Sequence, residues 1–104
     1  MKEKILKKGA ANWWHGVGSK GGQLILTTET LYFEGHNFNA GEKEFEIELD
    51  DIKSVKAGGF LSNNLVIVTK SGEEKFAVNG KNNWVLAIND AIGGIKWKKL
   101  MLVI

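Results

Sequence analysis

The chain has 104 residues, with 14 basic and 12 acidic side chains and a formal net charge of +2. That length makes one ordinary domain with a single core, and the absence of cysteine excludes disulfide scaffolds, thiol catalysis and cysteine-based zinc sites. Every basic side chain is lysine, which weighs against planar two-pronged recognition of phosphate or guanine and against a nucleic-acid track.

Residues 1–8 carry lysines but no apolar core and no cleavage site, so they do not read as a secretory signal. No stretch approaches the roughly 20 apolar residues that span a bilayer. The expected compartment is the cytoplasm. Trp13-Trp14 belongs to a first strand. Neighbours in a strand point to opposite faces, so one tryptophan enters the core and Trp14 is expected to be the exposed one. A strand bend that covers both is the alternative. Residues 14–22 then read as a glycine-rich connection. No helix follows it, and phosphate cradling needs a helix N-terminus.

Gln23–Thr28 reads as a strand, Glu29-Thr30 as a tight turn and Leu31–Gly35 as the returning strand, with Leu31 and Phe33 inward. Glu44–Leu49 alternates cleanly, with Phe45, Ile47 and Leu49 inward and Glu44, Glu46 and Glu48 outward. This acidic row should favour lysines on the neighbouring strand. Asp51–Lys56 is a weaker strand. Asn64–Thr69 is a continuous apolar run, Ser71-Gly72 is a hairpin turn, and Glu74–Val78 returns with Phe76 and Val78 inward. The period then changes. Trp84, Val85, Ile88, Ala91 and Ile92 share one face of a helix over about 81–92, with capping side chains from Asn79 to Asn82 and a stop at Gly93-Gly94. The fold class is therefore mainly β: a small antiparallel barrel of six or seven strands, capped by one C-terminal α-helix.

The pieces that carry this order are Gly9-Ala10-Ala11-Asn12, Gly22–Thr27, Leu31-Tyr32-Phe33, His36–Asn39, Ile47–Ile52, Asn64–Ile67, Phe76-Ala77-Val78 and Trp84. Together they resemble the GRAM domain of the pleckstrin-homology-like (PH-like) superfamily, over about residues 9–92 and closest to short bacterial members. The chain then divides into a GRAM/PH-like domain over 1–94 and an apolar tail over 95–104. The resemblance implies a non-enzymatic module, without cofactor, that docks protein segments or lipid headgroups. Lys81 stands where an arginine is common, which removes a possible structural ion pair.

Candidate binding residues follow from chemistry. An outward Trp14 suits an interface hot spot or a membrane anchor. His15 and His36 lie in loops expected at one end of the barrel, where Glu34 or Glu42 could complete a metal site, although local hydrogen bonding is the simpler role. In phosphoinositide-binding members of the superfamily, basic side chains after the first strand grip phosphates. Here Lys20 and Lys43 are the candidates, a poor set for a multiply charged headgroup. Lys7, Lys8, Lys96, Lys98 and Lys99 add weak attraction to an anionic surface if they face one plane, and otherwise serve solubility. In the tail, Trp97, Leu100 and Leu102 must cover something: the chain's own barrel, a second copy or another protein, or a membrane interface. The expected function is a binding or scaffolding module for a protein segment or its own copy, with peripheral binding to anionic membrane as the alternative. A catalytic role lacks a nucleophile–base pair.

Overall fold

The computed structural model describes residues 3–36, 45–59 and 61–103, the side chains of His15 and Val103 excepted. Seven strands and one helix follow in order: β1 (Ile5–His15), β2 (Gly18–Thr27), β3 (Thr30–Gly35), β4 (Phe45–Glu48), β5 (Ile52–Ala57), β6 (Asn64–Thr69), β7 (Gly72–Val78) and α1 (Lys81–Val103). A short 3-10 turn, Leu49–Asp51, joins β4 to β5. All pairings are antiparallel, in the order β4-β3-β2-β1-β7-β6-β5. The two edge strands are thus consecutive in the chain, and the 3-10 turn forms the corner between them. This is the PH-like, mainly β fold the sequence implied.

The inward positions are those that the alternation singled out. Leu24 and Leu26 from β2, Leu31 and Phe33 from β3, Ile47 from β4, Leu65 and Ile67 from β6, and Phe76 and Val78 from β7 meet in one core. The helix packs on β5, β6 and the 3-10 turn and sends Trp84, Ile88 and Ala91 into that core. Trp84 covers Gly9 of β1, where an added methyl would lie 3.4 Å from the indole, and Lys7 stands over its ring at 5.1 Å. Gly80, at φ +70°, turns the chain into the helix, and its carbonyl accepts the first helical bond from Trp84 N at 3.1 Å.

Three expectations need correction. First, residues 14–22 are not a loop. β1 runs to His15 and β2 begins at Gly18, leaving a two-residue turn in which Gly16 has φ +58°. A glycine at the first central position with positive φ is what a II′ hairpin turn requires. The later glycines belong to the strand because neighbours occupy the space a side chain would need: a methyl on Gly22 would lie 2.2 Å from the Glu34 carbonyl oxygen.

Second, the helix does not stop at Gly93-Gly94. Neither glycine adopts the positive φ of a left-handed cap, and contacts beyond them hold the next turns. Ile95 packs against the core, and Lys99 Nζ donates to Asp50 Oδ2 at 2.7 Å. Third, among the described residues β3 sets no lysine opposite Glu46 or Glu48. β3 sets Thr30 opposite Glu48 and Tyr32 opposite Glu46. The acids accumulate instead, and Glu48, though exposed, has its pKa raised by slight desolvation of its carboxylate, then by the fields of Glu46, Glu3, Asp51 and Glu29.

Candidate functional site

β1 is the central strand of the sheet, and it splits the tryptophan pair. Trp13 faces inward. Its ring lies 4.5 Å from Phe45 and 5.9 Å from Phe33, and its Nε1 donates to Glu74 Oε1 at 2.9 Å. Trp14 faces outward and is 46% exposed. It is paired with Ser19 on one side and Lys75 on the other. The expectation that Trp14 is the more exposed of the two agrees with the structure.

One residue pair further along the same face, Asn12 lies between Gly21 and Ala77. The backbone of His36 donates to the Gly21 carbonyl at 3.1 Å, and its ring stands beside Gly21, where an added methyl would lie 3.0 Å from Cδ2. Asn12, His36, Asn63 and Asn79 rim a shallow depression of about 290 Å³ floored by Ala10 and Ala77. Small floor residues and carboxamide walls can hydrogen-bond a peptide backbone or another polar group. Sequence reasoning missed this depression. Its asparagines come from three separate segments, and only the antiparallel register brings them together.

The remaining candidates lie elsewhere. Lys20 is paired with Trp13, not Trp14, so it sits on the opposite face of the sheet. His15 is opposite Gly18, and His36 is hydrogen-bonded at Gly21. These anchor points on β2 are three residues apart, roughly 10 Å along the strand. Lys43 and Glu42 lie outside the described residues. Among the described residues, no group of three or more metal-ligating side chains comes together.

A second region is built on α1. Trp97, Leu100, Met101 and Leu102 are all more than half exposed, so the tail does not serve mainly to cover its own barrel. Beside it, Leu6, Thr28, Ala87, Ala91 and Ile95 line a groove of about 350 Å³, with Asp90 and Lys98 at its rim. Leu6 precedes Trp14 by eight residues on β1, roughly 26 Å of extended strand. The Trp14 face and the α1 face are therefore separate surfaces. The lysines of the N-terminal strand and the tail do not act as one set either: Lys99 is engaged by Asp50 and Lys7 by the Trp84 ring. Among the described residues, no helix is long and apolar enough to cross a membrane.

Lys81 has a role that the sequence did not reveal. Its Nζ donates to the carbonyls of Gly59 at 2.6 Å, Ser62 at 2.6 Å and Gly58 at 3.2 Å. The ammonium, with three donors, closes the β5–β6 connection onto the start of α1. No partner acid is needed for this, so the structural ion pair expected of an arginine is replaced by a carbonyl clamp.

A seven-stranded antiparallel sheet capped by one C-terminal helix defines a PH-like domain, and solved structures bear this out. The C-terminal PH domain of pleckstrin is 18% identical, with a TM-score of 0.74, covering 88% of this chain and 99% of that one. The N-terminal PH domain of human ARAP2 is 16% identical, with a TM-score of 0.71 and coverage of 85% and 79%. The C-terminal domain of an unknown protein from Leishmania infantum is 23% identical, with a TM-score of 0.71 and coverage of 86% and 84%. These likenesses establish the fold. The GRAM domain family model matches residues 1–83, and the chain belongs to that family. No curated protein matches it in sequence.

Proposed function

We propose that the chain is a non-enzymatic binding or scaffolding module that contacts a protein segment or its own copy. The observation that carries this reading is Trp14. A large aromatic ring, 46% exposed, stands on the central strand beside the polar depression rimmed by Asn12 and His36. Aromatic side chains in this setting combine large contact area with little conformational freedom, which suits an interface anchor. Trp97, Leu100 and Leu102 on α1 supply a second contact surface. Family membership supports the reading, because GRAM and PH-like domains generally act as binding modules rather than catalysts.

Peripheral binding to anionic membrane is the second reading. It rests on Lys96 and Lys98, exposed on either side of Trp97 near the end of α1. Tryptophan with flanking lysines suits a headgroup interface. Lys20 and Lys43 are the further lysines this reading would use.

Co-sedimentation with neutral and anionic vesicles at low and high salt separates the two. The leading reading expects no sedimentation with either vesicle, and a Trp14→Ala chain that folds normally but loses partner contact. Binding to anionic vesicles alone, abolished by salt, would replace it with the membrane reading.

A further inference from the structure

Helix α1 carries exposed apolar side chains on the side opposite the one that packs on the barrel. At 100° per residue, Trp84, Ile88, Ala91 and Ile95 form the side that meets the barrel. Leu86, Gly93, Trp97 and Leu100 lie on the opposite side, with Asn82 and Asn89 among them. There Leu86 is 63% exposed, Trp97 62% and Leu100 55%. With Asp90 they fall at spacings of four and three residues, the spacing of a helix seam that faces another helix. A surface helix that served only its own core would carry a polar outer side.

Gly93 sits at the middle of this outer row. No atom of the chain beyond its immediate surroundings lies within 4 Å of where its Cβ would be, and its φ is not positive. Within one molecule an alanine would fit there and favour the helix more. A glycine at that point becomes useful when another backbone crosses close to it.

We infer that this outer side of α1 pairs with the same side of a second copy, antiparallel, about a two-fold axis at Gly93. This deepens the proposed function by naming its partner, and rests on that reading. The row is self-complementary. Leu86 precedes Gly93 by seven residues and Leu100 follows it by seven, each roughly 10 Å along the axis. In the antiparallel pair, Leu86 meets the partner's Leu100, and Leu100 meets the partner's Leu86, as a closed two-fold interface demands. Charge selects the direction. A parallel pair would place the two ends bearing Lys96 side by side. The antiparallel pair sets each lysine-bearing end alongside the half that carries Asp90.

The area sets the strength. At roughly 200 Å² for a fully exposed large side chain, the open parts of Leu86, Trp97, Leu100 and Met101 supply about 500 Å² per copy. Two copies then bury at most about 1,000 Å² in total, the lower limit of a specific interface. An interface at that limit makes a weak, concentration-dependent pair.

Sedimentation velocity of the whole chain across the micromolar range tests this. The expected result is a concentration-dependent shift from monomer to dimer mass. Gly93→Lys should remain monomeric at every concentration while melting no lower than the parent when both are compared in dilute protein. Because the chain has no cysteine, single Leu86→Cys and Leu100→Cys variants report the geometry under mild oxidation. Their mixture should form the mixed disulfide faster than either forms its own. A monomer at all concentrations would overturn the inference, whether or not it sediments with anionic vesicles. So would a Gly93→Lys chain that still dimerises, or Leu86→Cys that links to itself as fast as the mixture reacts. A monomeric result leaves the Trp14 face and its own test standing, so the two readings fail separately.

Discussion

Replacing Lys81 by methionine keeps most of the side chain's length and apolar stem while removing the ammonium. Three carbonyls, of Gly58, Gly59 and Ser62, then lose their donor. A hydrogen bond to a charged group contributes about 1.5–3 kcal/mol. The three share one ammonium, and the bond to Gly59 is exposed, so water replaces part of what is lost and the contributions do not add. The expected loss is about 2–3 kcal/mol. For a domain of this length that lowers the melting temperature by roughly 10 °C. Far-UV circular dichroism during thermal and urea unfolding measures it. Lys81→Arg should fall between parent and Lys81→Met, because a planar guanidinium keeps the charge but cannot aim three N–H groups at one converging set of carbonyls. If Lys81→Met lies within about 0.5 kcal/mol of the parent, the clamp contributes nothing and the reasoning is wrong.

Other expected outcomes are independent of that clamp. Gly22→Ala places a methyl 2.2 Å from the Glu34 carbonyl oxygen and 2.9 Å from Gly35 Cα. Both are backbone atoms that cannot yield, so the urea midpoint should fall by the equivalent of about 3 kcal/mol or the chain should fail to fold. Gly93→Ala, in dilute protein, should stabilise by about 0.5–1 kcal/mol, since the site is open and helical; a destabilised variant would show an unseen contact. Glu48 has a raised pKa in the folded state, so the fold binds its proton more tightly than the unfolded chain and gains stability as pH falls into the carboxylate range. Glu48→Gln should therefore melt higher than the parent near neutral pH, with the gap closing as the pH drops through that range; a constant gap would sink the argument. Acrylamide should quench Trp14 and Trp97 and spare Trp84, which is 2% exposed; if the Trp14→Phe, Trp97→Phe chain is quenched as strongly as the parent, the exposure pattern is wrong.

The strands and the core were legible because side-chain alternation is a local code. Leu31 and Phe33 declared their face within a few residues, as did Phe76 and Val78. The tryptophan pair was legible for the same reason. What failed depended on neighbours distant in sequence. Gly21 and Gly22 looked like a loop because their reason for being glycine lies on β3 and at His36. Gly93-Gly94 looked like a stop because the contacts that carry the helix past them come from the core and from Asp50. The acidic row was expected to meet lysines because cross-strand charge usually balances, yet the register sets Thr30 and Tyr32 there. Of the candidate site, Trp14 was visible. The asparagine-lined depression was not, because it needs the register of β1 against β2 and β7.

The position of Trp14 on β1 has a thermodynamic consequence. Its backbone is paired on both sides, against Ser19 and against Lys75, so its place is set before any partner arrives. The exposed indole is therefore mounted on a strand paired on both sides rather than on a loop. A partner that docks there need order little more than two side-chain torsions and no backbone, so most of the contact energy is retained as affinity.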